Sequence, residues 1–278
     1  MFGLELSEVL YSVAVLAVCG ALAGFLAGLL GIGGGVVFVP ALYFIFIHAF
    51  KISDDLAIIL ATGTSLACMI PTSIVAALSQ YRRGNTDLSV IKRWSVAMII
   101  GVIVGTLISV NYGGGWLAIL FGSVMIVNSI NTLFRARAKP AFPSLPRPFF
   151  QKCIGFGIAC FSVMLGVGGG TLTVPILNAC SVEPHRSVGT SSAVSLFVCI
   201  PGAIILIATA ATPALAPIGT FGHVNLLGAA CIIPLSVLCA PFGVRVGKKV
   251  SPVTLKRIFA IALFIISVRM LISGLGLM

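Results

Sequence analysis

The stretch LGIGGGVVFVPAL, Leu30 to Leu42, sets three consecutive glycines, Gly33 to Gly35, between apolar runs, with Pro40 seven residues past the first. It recurs as LGVGGGTLTVPIL, Leu165 to Leu177, with Gly168 to Gly170 and Pro175 in the same register, 135 residues later. Further matches follow in the same order. TGTSLA (Thr62 to Ala67) pairs with VGTSSA (Val188 to Ala193), GNTD (Gly84 to Asp87) with GHVN (Gly222 to Asn225), and Gly101/Gly105 with Gly243/Gly247. Their offsets of 126, 138 and 142 residues drift as loop insertions would make them, so the chain reads as an internal duplication.

The composition says where such a repeat lives. Of 278 residues, 59% are hydrophobic before the 31 glycines are counted, and only 8% are charged. Soluble domains carry about 25% charged residues, and so few charges cannot cover a surface facing water. The mean hydropathy is +1.19, and residues 9 to 30 form an uncharged run longer than the roughly 20 residues one crossing needs. The expected fold is an all-α polytopic membrane protein. Ten apolar segments are predicted, at 8–30, 36–50, 56–80, 91–112, 116–134, 151–166, 171–180, 187–211, 224–245 and 256–277. A Pro- and Arg-rich linker, 135–152, separates a first repeat, 1–134, from a second, 153–278. Segment 171–180 is too short to cross alone. Each half therefore crosses five times, or three times with a re-entrant pair, giving about 8–10 spanning or re-entrant segments.

The net charge of +11 is concentrated in three loops. Loop 81–93 holds Arg82, Arg83, Lys92 and Arg93. The linker holds Arg135, Arg137, Lys139, Arg147 and Lys152, and loop 245–257 holds Arg245, Lys248, Lys249, Lys256 and Arg257. Cations clustered in short loops beside apolar segments are an orientation signal, and no nucleic-acid partner is expected. Placing these loops in the cytoplasm puts both termini outside the inner membrane. Matching loops of the two halves carry opposite charge bias: Arg82–Arg83 precede Gly84 but nothing basic precedes Gly222, and the reverse holds after Gly105 and Gly247. That is the pattern of an inverted repeat. Glu5 and Glu8 stand where a cleaved signal would carry basic residues, so no cleavage is expected. The eight cysteines include no CxxC pair, and no disulfide, metal or cofactor is expected.

Candidate chemistry gathers at the triplets. Gly33, Gly34 and Gly35, and Gly168, Gly169 and Gly170, would break membrane helices, which is tolerated at depth only where protein or water covers the backbone. The helices that restart there, carrying Pro40 and Pro175, aim free N–H groups and a positive dipole end at an anion. Paired interruptions in two halves point to a transporter's central site. Tight helix packing of the GxxxG kind, as at Gly20/Gly24, Gly24/Gly28 and Gly101/Gly105, is the plainer alternative. The hydroxyls of Thr64, Ser65, Thr190 and Ser191, read as lying at the starts of long helices, could donate to an oxyanion or bond their own backbone. Arg269, a cation within the last segment, is a possible charge partner or a snorkelling side chain. Asn128 and Asn131 are expected to bond between helices, and His48, His185 and His223, at segment ends, to have plain loop roles, with a proton-linked role as the alternative.

The residues quoted above, together with AGFLAGLLGIGGGVVFVPAL, GTSLACMIPTSIVAALSQYRRGNTD and VGTSSAVSLFVCIPGAI, resemble the sulfite exporter TauE/SafE family over about residues 10 to 275. The resemblance implies an inner-membrane permease for small sulfur-containing anions, sulfite or organosulfonates. It carries over Gly33 to Gly35 with Pro40, Thr64 and Ser65, and Gly168 to Gly170 with Pro175, Thr190 and Ser191. His223-Val224-Asn225 departs from Asn85-Thr86-Asp87 and leaves a shared role for Asp87 open. A monovalent anion leaving a negative cell interior gains about 2.3 kcal/mol per 100 mV, so export needs no coupling ion. Cation-coupled uptake, by proton or sodium, is the alternative. An intramembrane enzyme is disfavoured, since no HExxH, GxSxG or pair of intramembrane aspartates occurs. The particular anion, the coupling ion and the oligomeric state are not readable from the residues.

Overall fold

A computed structural model describes residues 6–30, 34–112, 114–134, 141–246 and 252–275. Each predicted segment is a helix. They run α1 (Leu6–Leu30), α2 (Gly35–His48), α3 (Asp54–Tyr81), α4 (Leu88–Asn111) and α5 (Gly114–Phe134), then α6 (Pro148–Leu165), α7 (Gly170–Ala179), α8 (Pro184–Thr209), α9 (Leu226–Val246) and α10 (Pro252–Gly274). Helix α6 starts three residues before its apolar run because Pro148, with φ already fixed, suits a first helical position. One element was not anticipated: a two-residue hairpin, β1 (Thr220–Phe221) with β2 (Val224–Asn225), in the loop before α9.

Among the described residues, α3, α4, α5, α6, α8 and α9 are long and apolar enough to cross a bilayer. Their outward faces suit lipid: Val96, Ile100, Ile103 and Leu107 of α4 are all exposed. Inside, Trp94, Phe38, Tyr43, Phe46 and Phe121 are fully buried. The eight cysteines are free, and Cys68, Cys160, Cys180 and Cys199 are buried as small apolar side chains.

Helix partners are exchanged between the halves. Helix α1 packs on α9 as α6 packs on α4, and α3 touches α9 as α8 touches α4. Helices α2 and α7 lie on α3 and α8 respectively, while α3 pairs with α8 and α5 with α10. The small residues make these approaches. Gly20 and Gly24 face the backbone of Ile232 and Ser236, and Gly28 that of Ala240; the register rises together, so α1 and α9 are parallel. Gly101 and Gly105 face Phe156 and Cys160 in the same sense across α4 and α6. Helices α5 and α10 are antiparallel, with Gly122 against Ser267 and Leu271, and Ser129 donating to the Ala260 carbonyl. Gly247, matched to Gly105 in the sequence, lies outside the described residues.

Helices α6 and α7 form a hairpin. The Phe142 N–H donates to the Ala179 carbonyl (2.9 Å), and Ser181 Oγ donates to the Phe142 carbonyl (2.6 Å), so the entry to α6 and the exit from α7 lie together. With 10 residues, α7 is about 15 Å long, half the roughly 30 Å hydrocarbon core.

Candidate functional site

Both helix breaks use left-handed backbone that favours glycine. Gly34 (φ 81°) precedes α2, and Gly168 (φ 68°) precedes the N-cap of α7. Gly33 lies outside the described residues. The two breaks touch. A methyl group on Gly35 would lie 2.6 Å from the Gly166 carbonyl oxygen and 2.6 Å from Val167 Cα. Gly166 in turn packs on Thr62 of α3, and Gly169 on Val194 of α8. The contact sits well inside both long helices, since α3 begins at Asp54 and α8 at Pro184.

Hydroxyls hold the breaks in place. Ser65 Oγ donates to the Gly166 carbonyl (2.6 Å), and Ser195 Oγ accepts from the Gly170 N–H (3.1 Å) while donating to the Ser191 carbonyl (3.1 Å). Thr173 Oγ1 donates to the Gly169 carbonyl (2.6 Å). Asn128 Nδ2 of α5 donates to the Thr171 carbonyl (3.4 Å), the expected bond between helices. Pro40 and Pro175 both lie inside the restarted helices.

Met69, Ser73 and Cys199, which the sequence reading passed over, complete this centre. Met69 Sδ and Cys199 Sγ flank Gly168, at 3.1 and 3.5 Å from the point its Cβ would occupy. Ser73 is buried, and its hydroxyl lies against the Cys199 thiol. Ser195 was legible in principle, one helical turn after Ser191.

Thr64 and Thr190 do something else. Rather than starting α3 and α8, they lie within them, and each accepts a backbone N–H from a loop of the other half. Asp87 N–H donates to Thr190 Oγ1 and Asn225 N–H to Thr64 Oγ1, both at 2.9 Å. The preceding glycines admit these loops: Gly189 packs on the Asn85 backbone and Gly63 on that of His223. The loop after α3 thus meets the start of α8, and the loop after α8 meets the start of α3, so the two helices run antiparallel. Asp87 and Asn225 also share a capping role. Asp87 Oδ1 accepts from Ser89 N–H and Val90 N–H at the start of α4, and Asn225 Oδ1 accepts from Gly228 N–H at the start of α9.

These bonds order the two ends of the bundle. Arg82, Arg83, Lys92, Arg93, Arg147, Lys152 and Arg186 flank the C-terminus of α3 and the N-termini of α4, α6 and α8, all at one end. Asp54 and Asp55 mark the other, where Ser273 Oγ donates to Asp54 Oδ2 and Gly114 packs on Asp55. The Asp87 carboxyl is held below its usual range, first by the Ser89 hydroxyl. Burial pushes the His223 imidazole down, and its Nδ1 is buried without a partner. Arg269 is exposed and stacks on Phe44, 4.1 Å from the ring centroid, so the structure does not bring it to the breaks. Among the described residues, no group of His, Cys, Asp and Glu is placed to hold a metal.

This architecture has counterparts. The profile of the sulfite exporter TauE/SafE family matches residues 16–270. The chain belongs to that family. A probable membrane transporter protein of Haemophilus influenzae is 26% identical over 254 residues, 91% of this chain and 96% of its own length. One from Bacillus subtilis is 26% identical across 95% of this chain and 99% of its own, and one from Methanocaldococcus jannaschii 27% across 95% and 97%. No solved structure gives a match. The TauE/SafE chain is therefore a multi-pass membrane transporter by family and by its apolar helices.

Proposed function

We propose that this TauE/SafE protein is a permease that moves small sulfur-containing anions outward across the inner membrane, through a central site at the paired helix breaks. The observation that carries the reading is the contact of Gly35 with Gly166 and Val167 between α3 and α8. It sets the start of α2 against the C-cap of α6 at the centre of the bundle, a few residues ahead of the start of α7, and the N-terminal ends of the two restarted helices favour an anion. The site comprises the triplets Gly33 to Gly35 and Gly168 to Gly170, with Ser65 and Ser191 on the flanking helices and Pro40 and Pro175 supporting the restarts. Thr64 and Thr190 serve as latches at its two ends. Arg269 is left out.

The two halves, 1–134 and 153–278 about the 135–152 linker, act as inverted repeats. The exchanged helix partners and the antiparallel α3 and α8 support this, as does the charge asymmetry of the two ends. With the basic end in the cytoplasm, both termini face outside. Export follows from the anion's charge and needs no coupling cation. The test is efflux of labelled sulfite from proteoliposomes holding wild type or Gly35→Val. Lost flux in a folded, inserted variant supports the site; unchanged flux overturns it.

A further inference from the structure

The two loops that latch onto the opposite half are built alike. In each, a glycine with positive φ, Gly84 (71°) or Gly222 (57°), precedes a residue whose N–H turns back to the preceding long helix. Asn85 N–H donates to the Gln80 carbonyl (3.1 Å), and His223 N–H to the Leu206 carbonyl (3.4 Å). Asn85 and His223 set their backbones against Gly189 and Gly63, two residues before the N–H groups that Thr190 and Thr64 accept. The side chains break the likeness. Asn85 Nδ2 donates to Gln80 Oε1 (2.8 Å), whereas Leu206 offers His223 no polar side-chain atom. His223 is 9% exposed, and its Nδ1 is buried without a hydrogen-bond partner.

Resting on the permease reading for what the closure gates, we infer that His223 is a proton-binding site that opens the closure at the Asp54 and Asp55 end when that side turns acidic. A neutral ring can stay buried with one nitrogen unpaired. An imidazolium carries a charge and two N–H donors, and burying it without an anion is costly. Lifting the hairpin off α3 hydrates the ring, so the open form takes the proton and acid shifts the balance towards it. The hairpin packs on α3, α8 and α9, and these helices bring no charge to hold a proton in the closed form. Asp55 and Asp54 stand eight and nine residues before Gly63 on α3, about 12 Å or more along its axis. His185, Arg186 and Arg245 lie at the opposite ends of α8 and α9, and Cys68 and Cys231 are thiols that stay uncharged in this pH range. Burial is what pushes the His223 imidazole down. Asn85 does not titrate, so the latch at Thr190 lacks this response. The proton gates the closure and does not drive the anion.

Hydrogen exchange at the two latch amides of the full chain in detergent tests this. Corrected for the intrinsic pH dependence of exchange, protection of the Asn225 N–H should fall several-fold, up to about tenfold, from one unit above to one unit below the free-histidine pKa of about 6.5. Protection of the Asp87 N–H should stay constant. His223→Asn, which copies Asn85, should abolish the fall, and so should His223→Asn combined with Leu206→Gln, which restores the Asn85–Gln80 pair should the single variant fold poorly. Constant Asn225 protection in the wild type, equal falls at both amides, or an undiminished fall in the folded variants overturns the inference and leaves the permease reading standing. Absence of sulfite flux alongside the selective fall at Asn225 defeats the permease reading and leaves the proton site in place.

Discussion

The backbone N–H of Asp87 donates to the hydroxyl of Thr190, 103 positions further along the chain, and that bond has a counterpart in Asn225 and Thr64. The two bonds lie at opposite ends of the antiparallel pair α3 and α8. Each ties a loop of one half to a helix of the other, so each must loosen if its end of the bundle opens. A carrier whose central site faces one side at a time needs such paired closures, one per end.

Thr64→Val and Thr190→Val each strand a backbone N–H that the native fold satisfies. The loss is about 1–3 kcal/mol where the donor stays buried, which applies most directly to the buried Asn225. Thr→Ser at either position should retain the bond and most of the stability. Thermal unfolding in detergent checks the magnitude. Cysteine-accessibility labelling checks direction: T190V should open the end at Asp87, and T64V the end at His223.

Asp87→Ala should lower stability by about 1 kcal/mol, because the first turn of α4 loses its cap. Asp87→Asn keeps an acceptor and should cost less. The native carboxyl is held below its unfolded range, so the unfolded state binds the proton first as pH falls. Its stabilisation is full above the unfolded pKa and disappears as pH drops through the folded one. The acid limb of a stability–pH curve should flatten in the Asn variant.

His223 acts in a neighbouring pH window. Its pKa is depressed by burial, so folding favours the neutral ring. Stability is full above the unfolded value of about 6.5 and falls as pH drops below it towards the folded pKa. His223→Gln should remove that loss. Melting temperatures of wild type and variant should converge above neutrality and separate in mild acid.

Glycines separate site from scaffold. Gly157→Ala, in α6 with open space where its Cβ would lie, should be neutral or stabilise by up to about 1 kcal/mol with transport retained. Gly35→Ala places a methyl 2.6 Å from two backbone atoms of the opposite break, and should depress flux strongly while α1 to α10 remain inserted. Transport assays beside detergent melting curves distinguish the two outcomes.

The helices of the described residues were legible because lipid demands long apolar runs, and the matched segments could be aligned because both keep their glycines and prolines. Even the brevity of α7 could be read from residues 171–180. The tertiary pairings could not. For Thr64 and Thr190 both oxyanion donation and bonding to their own backbone stayed open, because hydroxyls on apolar helices serve many purposes and their partners lie 161 and 103 residues away. Met69 and Cys199 look like ordinary apolar positions until Gly168 is folded against them. Arg269 read along the sequence as either a charge partner or a snorkelling side chain, and its exposed guanidinium stacks on Phe44. The β1–β2 hairpin is too short to leave an alternating pattern.

The central claim is that a negatively charged sulfur species passes through the joined breaks carrying its charge. Labelled sulfite efflux from proteoliposomes, at zero potential and with the interior made negative, measures this directly. The account predicts efflux that accelerates with interior-negative potential and is competed by methanesulfonate. Efflux indifferent to potential, or no flux of either anion from a folded protein, would contradict it.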